Sequence, residues 1–180
     1  MKPGFARQLI LAATLILTIA VPLRAADLEL ELLAESAIAG DLEVDGTVVG
    51  GLSGLTFDPG CGLYHAISDD RGRIDPMRFY TFRIADIDTA EVDILSATLL
   101  RRPSGDPSAP GDRDPEALAL HPNGRLYLAS EGGPHRGIHP LVAWLSLDGT
   151  FRGRLELPAH FLPANGELHG VRDNLGFEGL

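Results

Sequence analysis

Short apolar runs separated by turn residues dominate the chain from about residue 50 onward. The runs are rich in leucine, β-branched and aromatic residues, and turns such as Asp58-Pro-Gly-Cys-Gly and Asp148-Gly149 bound them. Runs of this kind predict β-strands, and no window beyond the first 25 residues has a helical period. The predicted strands are Leu52–Phe57, Leu63–Ser68, Phe79–Ile84, Val92–Leu100, Glu116–Leu120, Leu126–Ser130, Leu141–Leu147 and Phe151–Leu157.

The pattern repeats along the chain. When Ser53 is placed on Glu116, Leu55 aligns with Leu118 and Tyr64 with Tyr127 without a gap. The segment from Phe177 begins a third copy, in which Glu178 corresponds to Glu116. Offsets of 63 and 62 residues between copies indicate a structural repeat of about 60 residues.

Four antiparallel strands in each repeat predict an all-β fold made of β-propeller blades. A β-sandwich is the alternative, but it does not explain one fixed spacing. Rings of this kind close with about four to eight blades, and this sequence holds two and the start of a third. We therefore expect residues 26–180 to be the N-terminal part of a propeller, either truncated or completed by a partner chain, with residues 28–44 able to close the last blade.

The first 25 residues differ from the rest. Lys2 and Arg7 precede an apolar run from Leu9 to Val21, and small Ala25 follows a break at Pro22. This pattern predicts a signal peptide over residues 1–25, and its apolar run is short for a bilayer span. An uncleaved membrane anchor is the alternative. We expect a cleaved leader and a periplasmic or secreted protein, without a membrane anchor, from a bacterium.

Charge excludes several functions. Three of the 15 basic residues lie before residue 26, whereas all 25 acidic residues lie after it, so the remainder carries a formal net charge of −13. A surface this acidic repels nucleic acid and anionic lipid. The remainder also has no lysine, which excludes Schiff-base and P-loop chemistry. Cys61 is the single cysteine, so no disulfide forms within one chain.

Acidic residues recur where the predicted blades have their long loops. In a propeller, the loops entering the first strand and following the second strand open on one face, and binding residues concentrate on such loops. Carboxylates at one channel mouth repel each other unless a cation neutralises them, and hard oxygen ligands suit Ca²⁺ or Mg²⁺. Capping of turns by solvated acids is the alternative. The candidate metal ligands are Asp69, Asp70, Asp114, Glu116, Glu131 and Glu178.

Cationic and amide side chains accompany these acids. Arg71 and Arg172 can grip anionic oxygens bidentately, and Asn174 lies beside the third copy. These three residues are the candidate substrate-binding groups, with salt bridges to neighbouring acids as the alternative for the arginines. No nucleophile elbow, zincin motif, dinucleotide fingerprint or EF-hand loop occurs, so the catalytic residues are unknown.

Several phrases resemble the family described as having the esterase-like activity of phytase. The match spans about residues 50–180, with departures such as Ala117, where family members usually have glycine. The resemblance implies an exported propeller that hydrolyses phosphate or other esters, distantly similar to calcium-dependent phytases. The phrases are Leu52-Ser53-Gly54-Leu55, Ile67-Ser68-Asp69-Asp70-Arg71, Arg78-Phe79-Tyr80, Asp114-Pro115-Glu116-Ala117, Ser130-Glu131-Gly132 and Val171 to Leu180.

We therefore expect a hydrolase that acts on a small anionic ester with a divalent cation, Ca²⁺ first, at the channel mouth. Two alternatives remain open. One is a propeller without catalysis that binds a ligand or a periplasmic partner on the same face. The other is a lactonase-type propeller in which a divalent cation serves lactone hydrolysis.

Overall fold

The structure is a computed structural model, and it describes residues 29–162, 170–172 and 175–180. The predicted signal peptide lies outside these residues. Residues 32–180 form one compact unit. Glu29, Leu30 and Glu31 belong to a separate unit, and they are exposed. Within the described ranges there is no helix with the length and apolarity needed to span a bilayer.

Ten strands form a hairpin and two four-stranded antiparallel sheets. The hairpin pairs β1 with β2, the first sheet has the order β3-β4-β5-β6, and the second has the order β10-β9-β8-β7. The strands are β1 Glu43–Val44, β2 Thr47–Val48, β3 Leu52–Asp58, β4 Leu63–Ser68, β5 Arg78–Asp86, β6 Glu91–Leu99, β7 Pro115–Leu120, β8 Leu126–Ser130, β9 Leu141–Leu145 and β10 Phe151–Arg154. Two short 3₁₀-helices span Pro134–Arg136 and Ala159–Phe161.

The prediction of blades is confirmed. All eight predicted strands are present, four to a sheet, and consecutive strands are neighbours in each sheet as in a propeller blade. Blade one is β3–β6 and blade two is β7–β10, and in the described residues they do not close into a ring. Three bounds differ by two or three residues: β5 ends at Asp86 rather than Ile84, β9 at Leu145 rather than Leu147, and β10 at Arg154 rather than Leu157.

The two blades pack face to face through one core. One cluster contains Ile67 and Phe79 of blade one, Leu100 directly after blade one, and Leu126 and Leu128 of blade two. All five side chains are essentially inaccessible to solvent. This burial is the main favourable term that holds the blades together.

The first strands of the blades approach more closely still. A Cβ added to Gly54 in β3 would lie 2.6 Å from the backbone nitrogen of Leu118 in β7, closer than any real contact. Thr56 Oγ1 accepts a hydrogen bond from the Leu120 N–H at 2.9 Å. Glycine is therefore required at position 54 by space rather than by backbone angle.

The hairpin β1–β2 was not predicted as a pair of strands. Asp45 and Gly46 occupy its turn with φ of 51° and 74°, the left-handed conformation that a two-residue hairpin turn needs. Asp45 Oδ2 accepts a hydrogen bond from the Ala97 N–H at 2.9 Å, so the hairpin lies against β6. The expectation that residues 28–44 supply a closing strand to a distant blade stays a prediction.

The close approach of β3 and β7 gives a test of the blade interface. Gly54→Ala should destabilise the protein by about 1–3 kcal/mol, because the added methyl group forces two backbones apart. Gly50→Ala is the matched control, since its added Cβ would meet nothing within 4 Å. Thermal unfolding followed by circular dichroism measures both variants. Equal stability of Gly54→Ala and the parent chain would contradict the packing.

Candidate functional site

Three carboxylates come together where β7 begins and β8 ends. Asp114 precedes β7, Glu116 is its second residue and Glu131 follows β8. One side-chain oxygen from each lies within 4.8 Å of the others. We call these three residues the acidic cluster.

Strand pairing produces this meeting. Pro115 of β7 is opposite Ser130 of β8, so the residues flanking them, Asp114 and Glu131, become neighbours. The Glu131 N–H donates to the Asp114 carbonyl oxygen at 3.0 Å, and the Asp114 N–H donates to Ser130 Oγ at 2.9 Å. An irregularity between Pro115 and Ala117 interrupts the register beside Glu116. The cluster is therefore held by backbone and buried side-chain contacts at the head of blade two.

Blade one contributes a hydroxyl group to the cluster. Ser53 Oγ lies 3.0 Å from Glu116 Oε2 and 3.0 Å from the Glu116 carbonyl oxygen. Ser53 stands at the position in β3 that the repeat aligns with Glu116. The repeat in the sequence aligned Ser53 with Glu116, but it did not predict a contact between the two residues.

A cation from blade one also reaches the cluster. Arg71 Nε lies 2.5 Å from Asp114 Oδ1, an ion pair in which Asp114 is only 2% exposed. The angles at this oxygen do not meet the geometry of a hydrogen bond, so the contact is an ion pair by distance alone. Asp114 is thus paired by charge with Arg71.

Two further acids act on the cluster. Burial, together with the charges of Asp114, Asp69 and Glu178, raises the pKa of Glu116 to about 7, and the Ser53 hydrogen bond opposes the rise. A hydrogen bond to Glu131 raises the pKa of the exposed Glu178 carboxyl. Burial raises the pKa of Asp114 as well, against the pull of Arg71. The site therefore holds more carboxylates than its one arginine can neutralise.

Asp70 is used differently. Its Oδ2 pairs with Arg78 Nη1 at 2.6 Å, and its Oδ1 accepts from the Gly72 N–H at 2.6 Å. The structure does not bring this carboxylate into the acidic cluster. Asp70 instead stabilises the turn that presents Arg71, whose φ is 60°.

Arg78 was not predicted as a functional residue. Its side chain is 1% exposed, Nη2 donates to the Val48 carbonyl oxygen at 2.8 Å, and Nε contacts the Tyr80 hydroxyl. This buried cation joins the hairpin to the turn before Arg71. The available signal was its place in the phrase Arg78-Phe79-Tyr80, directly before the predicted strand.

The remaining predicted residues lie apart from these contacts or outside the described range. Arg172 is exposed, its carbonyl oxygen accepts from the Leu175 N–H, and no described contact joins its guanidinium to the acidic cluster. Asn174 lies outside the described residues. Asp69 is exposed beside Gly51.

A cleft of about 450 Å³ opens next to Arg71. Asp69, Arg71 and Arg73 line it together with Gly51 and Ile74. This volume lies in the range of small-molecule sites. The cleft thus offers space for a ligand beside the arginine that pairs with Asp114.

Fold and site together define a blade-built all-β protein with a candidate cation site at the junction of two blades. Within that class, the family model Phytase-like, described as esterase-like activity of phytase, matches residues 47–180. The chain therefore belongs to this phytase/esterase-like hydrolase family. Comparisons with curated proteins and with solved structures found no match.

The raised pKa of Glu116 predicts how stability changes with pH. The folded-state pKa, about 7, lies above the ordinary value of 4.5, so between these values the folded protein keeps a proton that the unfolded chain has lost. The stability of the metal-free protein should therefore fall as pH rises from about 4.5 to about 7, then level off. Thermal unfolding of metal-free protein across this range measures it.

Glu116→Gln should flatten this dependence, and Glu91→Gln, at the exposed start of β6, is the matched control. A profile of Glu116→Gln as steep as that of the control would show that Glu116 does not carry the effect.

Proposed function

We propose that the chain hydrolyses anionic esters, phosphate monoesters first among them, with a divalent cation held by the acidic cluster. The observation that carries the proposal is the convergence of Asp114, Glu116 and Glu131, whose oxygens lie within 4.8 Å of one another. Membership of a phytase/esterase-like family supports the hydrolytic class.

The donor atoms fit a hard cation. Two oxygens that bind one Ca²⁺ at about 2.4 Å each can be separated by at most about 4.8 Å, so the cluster satisfies this bound. Asp114 is buried and keeps an oxygen without a hydrogen-bond partner. Carboxylates without His or Cys in the described cluster favour Ca²⁺ or Mg²⁺ over Zn²⁺, and we propose Ca²⁺.

Each neighbouring residue then has a defined part. Asp114, Glu116 and Glu131 would hold the cation, with Glu178 near enough to Glu131 to join them. Ser53 fixes the Glu116 carboxylate from the opposite blade.

When bound, a divalent cation polarises an ester oxygen and lowers the pKa of water. Arg71 stands between the acidic cluster and the 450 Å³ cleft that it lines, where a guanidinium can bind the oxygens of an anionic ester. Arg73, on the same cleft wall, adds a second positive charge. The three arginines that line the cleft outnumber its two acids, Asp69 and Asp70, which supports an anionic substrate rather than a neutral one.

Removal of the cation tests the proposal. Purified protein should hydrolyse p-nitrophenyl phosphate or naphthyl phosphate, lose turnover on treatment with EDTA and regain it with Ca²⁺. Glu116→Gln should lower turnover by about 10- to 100-fold at saturating substrate, because a cation ligand is lost. Glu91→Gln is again the control.

The outcomes separate the alternatives. Turnover that persists in EDTA contradicts the role of the cation. Calcium binding without turnover on a panel of phosphate, carboxylate and lactone esters would favour the binding propeller, and turnover confined to lactones would favour the lactonase-type alternative.

We also propose that the protein is exported to the periplasm or beyond. The support is the charged start, apolar run and small residue at position 25 in the sequence. Expression in a bacterial host should give a periplasmic or secreted form that begins at Ala26, identified by intact mass and N-terminal sequencing. A cell-associated form that retains Met1 and its apolar run would contradict the proposal.

A further inference from the structure

A second cleft opens between the segment that follows β6 and the strands β9 and β10. Its apolar floor consists of Leu141, Ala143 and Phe151 on β9 and β10. The segment after β6 forms the wall of the cleft, and two backbone hydrogen bonds fix this segment to blade two. The Arg101 N–H donates to the Gly149 carbonyl oxygen, and the Arg101 carbonyl oxygen accepts from the Phe151 N–H, both at 2.9 Å. The cleft has a volume of about 350 Å³.

Four arginines line this space, which we call the arginine cleft: Arg102, Arg113, Arg152 and Arg154. They are a third of the 12 arginines that follow residue 25, in a chain whose net charge is −10. Asp112 is the one acid among the lining residues of the cleft. The arginine cleft is therefore a concentration of positive charge on a strongly acidic protein.

The protein's own acids neutralise only part of this charge. Asp112 accepts from Arg102 at 2.8 Å, and Arg152 lies 3.6 Å from Asp148, which does not line the cleft. Among the described residues, no carboxylate oxygen lies within 4.0 Å of the guanidinium of Arg113 or Arg154. Arg113 Nη1 instead donates to the Asp112 carbonyl oxygen at 2.9 Å. Two guanidinium groups are therefore without a carboxylate partner there.

Four like charges around one small space repel each other, and an oxyanion between them removes that repulsion. Guanidinium groups present paired donors that match the oxygens of phosphate and carboxylate. The apolar floor keeps water from one side and so strengthens each of these contacts. A volume of 350 Å³ suits a small molecule rather than a polymer.

We propose that the arginine cleft binds a small multivalent oxyanion that carries phosphate or carboxylate groups. The arginine cleft shares no lining residue with the acidic cluster or with the cleft beside Arg71. The proposal therefore does not depend on the cation or on hydrolysis.

Calorimetric titration of the whole protein with pyrophosphate, and separately with tricarballylate, tests the proposal. The protein is first freed of metal on a chelating resin, so that neither a bound cation nor a soluble chelator competes. We expect saturable binding that weakens as salt increases. Arg113→Gln and Arg154→Gln should each weaken it at least tenfold, and the double variant should abolish it.

Two controls locate the bound anion. Arg83→Gln changes an exposed arginine paired with Asp93 on blade one and should leave the affinity unchanged. Arg125→Gln changes an exposed arginine of blade two that does not line the arginine cleft, and it should also leave the affinity unchanged. Because Arg154 is exposed and has no ion pair with any described residue, its replacement should leave the unfolding temperature unaltered, which circular dichroism checks.

Each result of these titrations either supports or overturns the proposal. Binding of pyrophosphate alone, or of tricarballylate alone, with loss in Arg113→Gln and Arg154→Gln supports the site and identifies its anion. Absence of binding by both anions overturns the proposal. Binding that survives the double variant, or that Arg83→Gln or Arg125→Gln abolishes, overturns it as well, because the anion then lies elsewhere.

Discussion

The approach of β3 to β7 is the constraint on which both blade packing and the acidic cluster depend. Gly54 leaves room for the backbone at Leu118, and Thr56 accepts a hydrogen bond from Leu120 N–H. One residue before Gly54, Ser53 contacts Glu116 through both its carboxylate and its carbonyl oxygen. The short stretch that sets the distance between the blades therefore also positions a carboxylate of the candidate site.

The three carboxylates of the acidic cluster can lie close together because the surroundings of each carboxylate differ. Asp114 is buried and depends on Arg71 for compensation, while Glu116 can hold a proton near neutral pH. Arg71 in turn depends on the turn that Asp70 and Arg78 stabilise. Loss of Arg78 would leave a partly buried carboxylate without its partner, which is costlier than loss of a surface pair. A residue without contact to the cluster thus maintains its electrostatics.

Repeats in the sequence predicted the blades because strand patterns at one spacing leave few folds that fit. The same spacing placed Asp114, Glu116 and Glu131 near one loop-bearing end. It could not show that Asp70 turns toward Arg78 while Arg71 turns toward Asp114, because adjacent loop residues have no fixed period. The hairpin was missed although Asp45-Gly46 is a strong turn signal, since its flanking strands are only two residues long. The arginine cleft was also missed, because its residues come from two distant segments.

Family membership and geometry answer different questions about this protein. The family gives a hydrolytic class, whereas chemistry is set by which side chains a particular fold brings together. Here the carboxylates come from blade two, while their hydroxyl and arginine partners, Ser53 and Arg71, come from blade one. Neither blade alone holds these partners in place. Separation of the blades would therefore weaken the electrostatic balance of the site along with the core, so that stability and the arrangement of the candidate cation site are properties of one interface.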